Sequence, residues 1–332
     1  LGAIFWLCII SLIIPINTYL ECILGIKYRE KEGNKYYGGP SYYILKCLNN
    51  KKLAILYSIL TIVTYSGLFL SIQSNTIANA VSYFNINSIF IVAILSISTL
   101  IIVLLGLKGI SKVNSILVPV MLLLYIILGI YIIFSNYSVL SSIFIKVIKE
   151  AFNFKSIIPA FLIGMQRSIF ITESSLGTSA ISASSCDNEP EKQAMLEVLG
   201  IHIIIFIVCL TTFLIIATTD YQTLSFTNLN GIELVLHAFN YHFGSSGPVL
   251  LVVITILFAF STIISSYFFG ETSLNILTKN KYINNMYKIL FILIIIISCY
   301  IKPSILWNLC DYFIALLAII NISSIIKIYK RQ

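Results

Sequence analysis

The sequence predicts an all-α membrane protein of about nine transmembrane helices, and three observations carry that prediction. Of 332 residues, 58% are hydrophobic and 10% charged, with a mean hydropathy of +0.97; soluble domains carry about 25% charged residues. The apolar residues gather into runs approaching or exceeding the ~20 residues that cross a bilayer. The basic residues fall in the short loops between those runs, and on alternate loops.

In chain order the runs are Gly2 to Ile26, Leu53 to Val81, Ile89 to Leu107, Ile116 to Phe134, Phe161 to Ala183, Leu196 to Thr218, Val249 to Leu277, Ile289 to Ile301 and Ile305 to Ile326. Between the first two, Lys27 to Pro40 is basic and glycine-bearing, and Gly38, Gly39 and Pro40 place a tight turn before a new helix. After the sixth run, residues 219–243 mix polar with apolar, and Gly231 to Asn240 reads as a short amphipathic helix at the surface. Sixteen Lys and Arg, from Lys27 and Arg29 through Lys112, Lys192 and Lys279 to Arg331, lie on one set of loops and the tail. Only Lys146, Lys149, Lys155 and Lys302 lie on the other set. The richer set faces the cytoplasm, and the carboxyl terminus lies with it.

Composition also excludes. The net charge of +8 forms no basic patch interleaved with aromatics, so it does not point to nucleic acid. The seven cysteines are scattered without CxxC spacing and read as small buried hydrophobes. His202, His237 and His242 offer no metal-ligand spacing, and no nucleophile–base pair suggests an enzyme. No cofactor is implied. The chain begins at Leu1 and enters an apolar run at once, without the basic start or cleavage site of a signal peptide, so its natural amino terminus is expected upstream.

The fifth run is unlike the rest. FLIGMQRSIFITESSLGTSAISA carries Arg167, Glu173, two glycines and several hydroxyls at membrane depth. Charge there costs several kcal/mol unless it faces protein, water or an ion, so the stretch reads as a site. It predicts a helix interrupted between Gln166 and Gly177, its freed amides and carbonyls lining a cavity, where alone such backbone is tolerated.

Two further segments are polar inside apolar sequence. Gln73, Ser74, Asn75 and Thr76 form an island in the second run, suited either to interhelical hydrogen bonds or to a cavity. In the seventh run Ser261, Thr262, Ser265 and Ser266 lie on nearly one helical face; hydroxyls suit a small hard cation, and small residues also suit close packing.

Taken in order, six motifs resemble the alanine or glycine:cation symporter family: YRE..G...GGPSYYI (Tyr28 to Ile44), QSNTIA (Gln73 to Ala78), KGISKVNSILVP (Lys108 to Pro119), RSIFITESSLGTSA (Arg167 to Ala180), FAFSTI with GE (Phe258 to Ile263, Gly270, Glu271) and WNLCD (Trp307 to Asp311). The resemblance spans nearly the whole chain. It implies sodium-coupled uptake of a small neutral amino acid by a leucine-transporter-type fold, in which two inverted five-helix repeats each open with a broken helix. Residues 1–134 would then be the remainder of the first repeat, its opening broken helix absent, and residues 155–327 the second. Arg167, Phe170 and Glu173 match the family pattern, whereas Ser168, Ile171, Thr172, Ser174 and Ser175 depart from it. Serine for glycine at 168 narrows backbone freedom at the break, and threonine for asparagine at 172 removes an amide. Ser266 stands where the family commonly has tryptophan, which enlarges or rewets the pocket.

On this reading Gln73, Asn75, Phe170, Thr172, Glu173 and Ser266 bind substrate, Ser261 and Thr262 hold the cation, and Arg167 with Glu173 forms a gate or a structural pair. The half-helix amino end would favour the carboxylate of a zwitterion, and free carbonyls its ammonium. The partners implied are a small neutral amino acid, a sodium ion and the plasma-membrane bilayer. Two alternatives stay open: proton coupling, with Glu173 or Asp311 titrating, and a truncated remnant that transports nothing.

Overall fold

A computed structural model describes residues 1–33, 35–219, 229 and 231–331. Among the described residues eight helices are long and apolar enough to cross a membrane. The first is bent: α1 (Gly2–Ile13) and α2 (Pro15–Lys27) meet at Ile14, because Pro15 has no N–H for the ladder and its ring crowds the turn before it. A hairpin follows, β1 (Glu30–Glu32) paired antiparallel with β2 (Lys35–Tyr37), and then α3 (Pro40–Leu48) behind the Gly38–Gly39 turn.

The second rod joins α4 (Lys51–Thr61), a π-helical stretch at Ile62–Phe69, and α5 (Leu70–Ser82). Thr61 and Thr64 donate their hydroxyls to the Tyr57 and Leu60 carbonyls at 2.9 and 2.7 Å, competing with the ladder where it widens. Next, α6 (Ser88–Ser135) holds two spans that meet at Gly106, whose φ of 68° turns the chain between them. The second starts at Gly109, well before the expected Ile116. An amphipathic helix not expected from the sequence, α7 (Tyr137–Ala151), packs on α1 through a bond from Trp6 Nε1 to the Ala151 carbonyl, 3.1 Å.

The fifth run is two helices, α8 (Ile157–Thr172) and α9 (Thr178–Ser184). Then come α10 (Pro190–Ile203), a π-helical stretch at Ile204–Cys209 and α11 (Leu210–Ala217) as one span. The surface helix expected at Gly231 to Asn240 is α12 (Ile232–Phe243); residues 220–228 and 230, just before it, lie outside the described residues. The last three spans are α13 (Ser246–Leu277), α14 (Lys281–Ser298) and α15 (Pro303–Tyr329). The short eighth run grows to 18 residues because Asn280 caps it, its Oδ1 accepting the Tyr282 N–H at 2.9 Å.

Among the described residues two large buried clusters and a small one about Cys22, Ile26, Ala183 and Ala194 fill the interior. The larger, with Leu70, Ile132, Ile263 and Phe291, lies among α5, α6, α13 and α14. The second, with Leu24, Tyr43, Tyr57, Tyr65, Leu176 and Leu317, surrounds the interruption between α8 and α9. Large apolar side chains such as Phe90, Leu104, Phe134 and Ile158 stay on the outside, an apolar coat suited to lipid.

Candidate functional site

The backbone leaves the helix at Glu173 and re-enters it after Gly177. Glu173, Ser175 and Gly177 have φ of 49°, 70° and 81°, and a single turn bond from Leu176 N–H to the Glu173 carbonyl, 3.1 Å, spans the gap. The left-handed region costs a non-glycine residue roughly 1–2 kcal/mol, so Glu173 and Ser175 stay there only because their surroundings over-determine it.

Those surroundings are specific. Where the chain bends at Pro15, Ser174 Oγ donates at 2.9 Å to the Ile14 carbonyl, which also accepts the Asn17 N–H at 3.0 Å. Thr18 Oγ1 and Ser174 Oγ are 2.6 Å apart, and Asn17 Nδ2 donates to Ser175 Oγ at 3.1 Å. Tyr57 donates its hydroxyl to the Leu176 carbonyl at 2.8 Å, and Asn321 Nδ2 donates to the Ser175 carbonyl at 3.0 Å. Thr172 Oγ1 donates to the Ser168 carbonyl and accepts the Ser174 N–H, ending α8. At Gly177 a Cβ would overlap the Pro40 ring, and at Gly39, where φ is 120°, it would meet Ile181. The Gly38–Gly39–Pro40 turn is therefore the seat of α9, whose far end Arg29 holds through the Ser184 and Cys186 carbonyls.

An aromatic column stands beside the break. Phe269 meets Tyr65, Tyr65 stacks on Phe69 at 4.8 Å, Phe69 on Phe170 at 5.0 Å, and Phe170 packs on Trp307 at 4.8 Å. Arg167 lies over the Trp307 ring and binds Asp311 Oδ2 at 2.9 Å. The Glu173 carboxyl lies beside the Tyr65 and Thr178 hydroxyls. Among the described residues the buried Ser266 hydroxyl has no hydrogen-bond partner. Buried polar atoms are nearly always paired, so a hydroxyl left over in the interior fits a ligand or water that supplies the missing partner. A cavity of about 480 Å³ reaches the break at Asn17 and Ser175, between apolar walls that include Ile13, Phe161, Met165 and Ile322.

The sequence model of the Sodium:alanine symporter family matches residues 1–331. The chain belongs to that family. Among similar proteins are the amino-acid carrier protein AlsT of Bacillus subtilis, 29% identical over 97% of this chain and 70% of that protein, and the probable sodium/glutamine symporter GlnT of the same organism, 31% identical over 99% and 70%. The sodium/alanine symporter AgcS of Methanococcus maripaludis is 28% identical over 97% of this chain and 73% of its own length. As a member of this symporter family the chain is a multi-pass membrane transporter and not an enzyme.

Within this family member the structure sorts the expected residues. Thr172 and Glu173 form the lip of the break, and Phe170 stands in the column one turn away. Arg167 pairs with Asp311, not with Glu173 as expected: it lies in α8 nearly two turns before the break. Ser168 is not at the break either; it is a buried helical residue whose hydroxyl lies 2.8 Å from that of Ser11. Asn75 Nδ2 donates to the Ser298 and Ile301 carbonyls at the end of α14, which is the interhelical alternative, and Gln73 lies half-buried on the same helix. Ser261 Oγ donates to Asn114 Oδ1 at 3.1 Å and Asn114 Nδ2 to Ser265 Oγ at 2.9 Å, while Thr262 Oγ1 donates to the Phe258 carbonyl. Each hydroxyl that donates still has lone pairs for a cation.

Sequence reasoning missed the partners in the first and last spans. Ser11, Thr18 and Glu21, with the carbonyl of Ile14, sit three and four residues apart on one face of the bent helix, a spacing visible in the sequence. Asn321, a lone amide in an isoleucine-rich run, carried the same signal.

Proposed function

We propose that the protein carries a small neutral amino acid, alanine or glycine, into the cell together with sodium, and that residues 173–177 are where the substrate binds. The unwound backbone between α8 and α9 carries this reading, because it sets peptide groups released from the helical ladder and the Glu173 carboxyl beside one another deep in the helical bundle. Amides of such a segment suit the substrate carboxylate, and its carbonyls with Glu173 suit the ammonium. Phe170, Thr172, Tyr65 and Ser266 complete the surround, and a serine at 266 leaves space that a larger side chain would fill. Sodium is assigned to Ser261 and Thr262, with Asn114 positioning the first. Arg167 and Asp311 form the gate pair.

On the same reading α8–α9 is a ninth crossing, residues 155–327 are the second inverted repeat, residues 1–134 belong to the first, and the carboxyl terminus is cytoplasmic. The names of the relatives AlsT, GlnT and AgcS support an amino-acid cargo and, for the latter two, sodium coupling. Coupling follows from linkage: each ligand orders a region the other uses, for a mutual gain of about 1–3 kcal/mol.

Uptake of labelled alanine by proteoliposomes at fixed pH tests this. Replacing sodium by choline should abolish uptake. Uptake that persists in choline and follows an acid-outside gradient assigns the coupling to protons instead, and no uptake under any gradient favours a transport-incompetent remnant.

A further inference from the structure

Glu21 is a fully buried carboxyl in the first span that the chemistry above leaves unused. Its Oε2 accepts Asn321 Nδ2 at 2.6 Å, and the same amide nitrogen donates to the Ser175 carbonyl at 3.0 Å. Asn321 Oδ1 accepts the hydroxyl of Tyr43, itself buried. The backbone of Ser175 and Gly177 lies against the Glu21 carboxyl, whose Oε1 has no hydrogen-bond partner among the described residues. Groups from α2, α3 and α15 thus converge on the main chain of the break.

Packing alone does not explain this cluster. Burying a carboxyl costs several kcal/mol, and an apolar side chain of the same volume would fill the space more cheaply. A polar cluster earns its place only where a neighbour needs those donors and acceptors. Here the neighbour is an unwound segment with a freed carbonyl, which Asn321 satisfies, and freed amides, beside which Glu21 places acceptor oxygens.

The geometry points to Glu21 and Asn321 as positioning residues that fix the main-chain conformation of residues 173–177 from behind the ligand space. The structural part of this inference needs only the break; its effect on substrate rests on the reading of the break as the binding site. Tyr43 is the outer member, orienting the Asn321 amide so that its nitrogen faces both Glu21 and Ser175.

Hydrogen exchange on purified, substrate-free protein tests it, comparing Glu21→Gln, Asn321→Ala and Tyr43→Phe with the wild type. In the first two, amides at residues 174–177 should exchange about ten- to a hundredfold faster, the range expected when a buried polar group loses its partner, while α6 and α13 keep their protection. Tyr43→Phe, which keeps the ring, should give a smaller rise confined to the same segment. Asn321→Asp should loosen the segment as much as alanine does, and Glu21→Gln in that background should recover part of the loss, because the new amide donates to the new carboxylate. In uptake assays KM should rise more than kcat falls. Unchanged exchange at 174–177 in both Glu21→Gln and Asn321→Ala overturns the inference, and so does a rise spread evenly over α6, α13 and the break. Wild-type protein that moves no alanine, while the variants show the local change, refutes the carrier reading and leaves this one intact.

Discussion

Gly177 is the residue at which the chain can least accept a side chain. Its φ of 81° disfavours an L-residue, and a Cβ would overlap the Pro40 ring and approach the Tyr57 hydroxyl. Gly33 has a similar φ of 60° but open space around it, and so isolates the backbone contribution. Gly33→Ala should cost about 1–2 kcal/mol and Gly177→Ala at least about 1–3 kcal/mol more from overpacking, read as the difference in thermal unfolding in detergent. Asp311→Asn leaves Arg167 half-buried without its counter-charge; uptake should slow by roughly tenfold, and Arg167→Gln in the same protein should restore part of it. Glu173 was legible in the sequence because a carboxylate in an apolar run has few roles. The partner of Arg167 was not, since Glu173 stands six residues on in the same run and nothing local shows that Asp311, far along the chain, pairs with Arg167. Glu21 escaped notice for a related reason: it lies close to the charged loop at Lys27, where a carboxylate passes for the edge of a span.

At the scale of elements, apolar runs marked the spans but not their ends. The sixth span starts at Pro190 and the eighth at Lys281, several residues before their apolar runs, because polar first turns, the latter capped by Asn280, extend beyond the hydrocarbon. Helix α7 was missed because its alternation of lysines and isoleucines raised neither hydropathy nor turn signals. The hairpin was also unforeseen, and it ties two parts of the molecule together. Glu32 accepts from Lys279 Nζ and Asn275 Nδ2, both at 2.9 Å. The Lys279 hydrogen bond, then that of Asn275, holds the Glu32 carboxyl below its ordinary 4.5, and the same bond to Glu32 holds the Lys279 ammonium above its ordinary 10.5. A lowered carboxyl contributes above its unfolded value and loses that contribution as pH falls through its folded one. A raised ammonium contributes below its unfolded value and loses that contribution as pH rises through its folded one. The tie is therefore whole across neutral pH. Spin labels on Lys31 and Lys281 should report a constant distance between about pH 6 and 9, a longer one below about pH 4, and loosening in high salt, because both groups are exposed.

At the scale of the whole molecule, two bent or broken helices lie side by side and complete each other. Ser174 bonds the Ile14 carbonyl at the Pro15 bend, and the break between α8 and α9 opens groups that Tyr57 and Asn321 take. The sequence announced the break through its composition, but not the kink, because one proline in an apolar run is common in membrane helices. If the bundle binds substrate and sodium at the break, each ligand should tighten the same five residues. Amide exchange at residues 173–177, measured with alanine, with sodium and with both, tests this most directly. Both ligands together should protect the segment by at least roughly fivefold more than the product of their separate effects, the lower end of ordinary coupling, and choline in place of sodium should abolish the excess. Exchange that ignores both ligands, in protein that imports alanine, would contradict the account and place the substrate elsewhere.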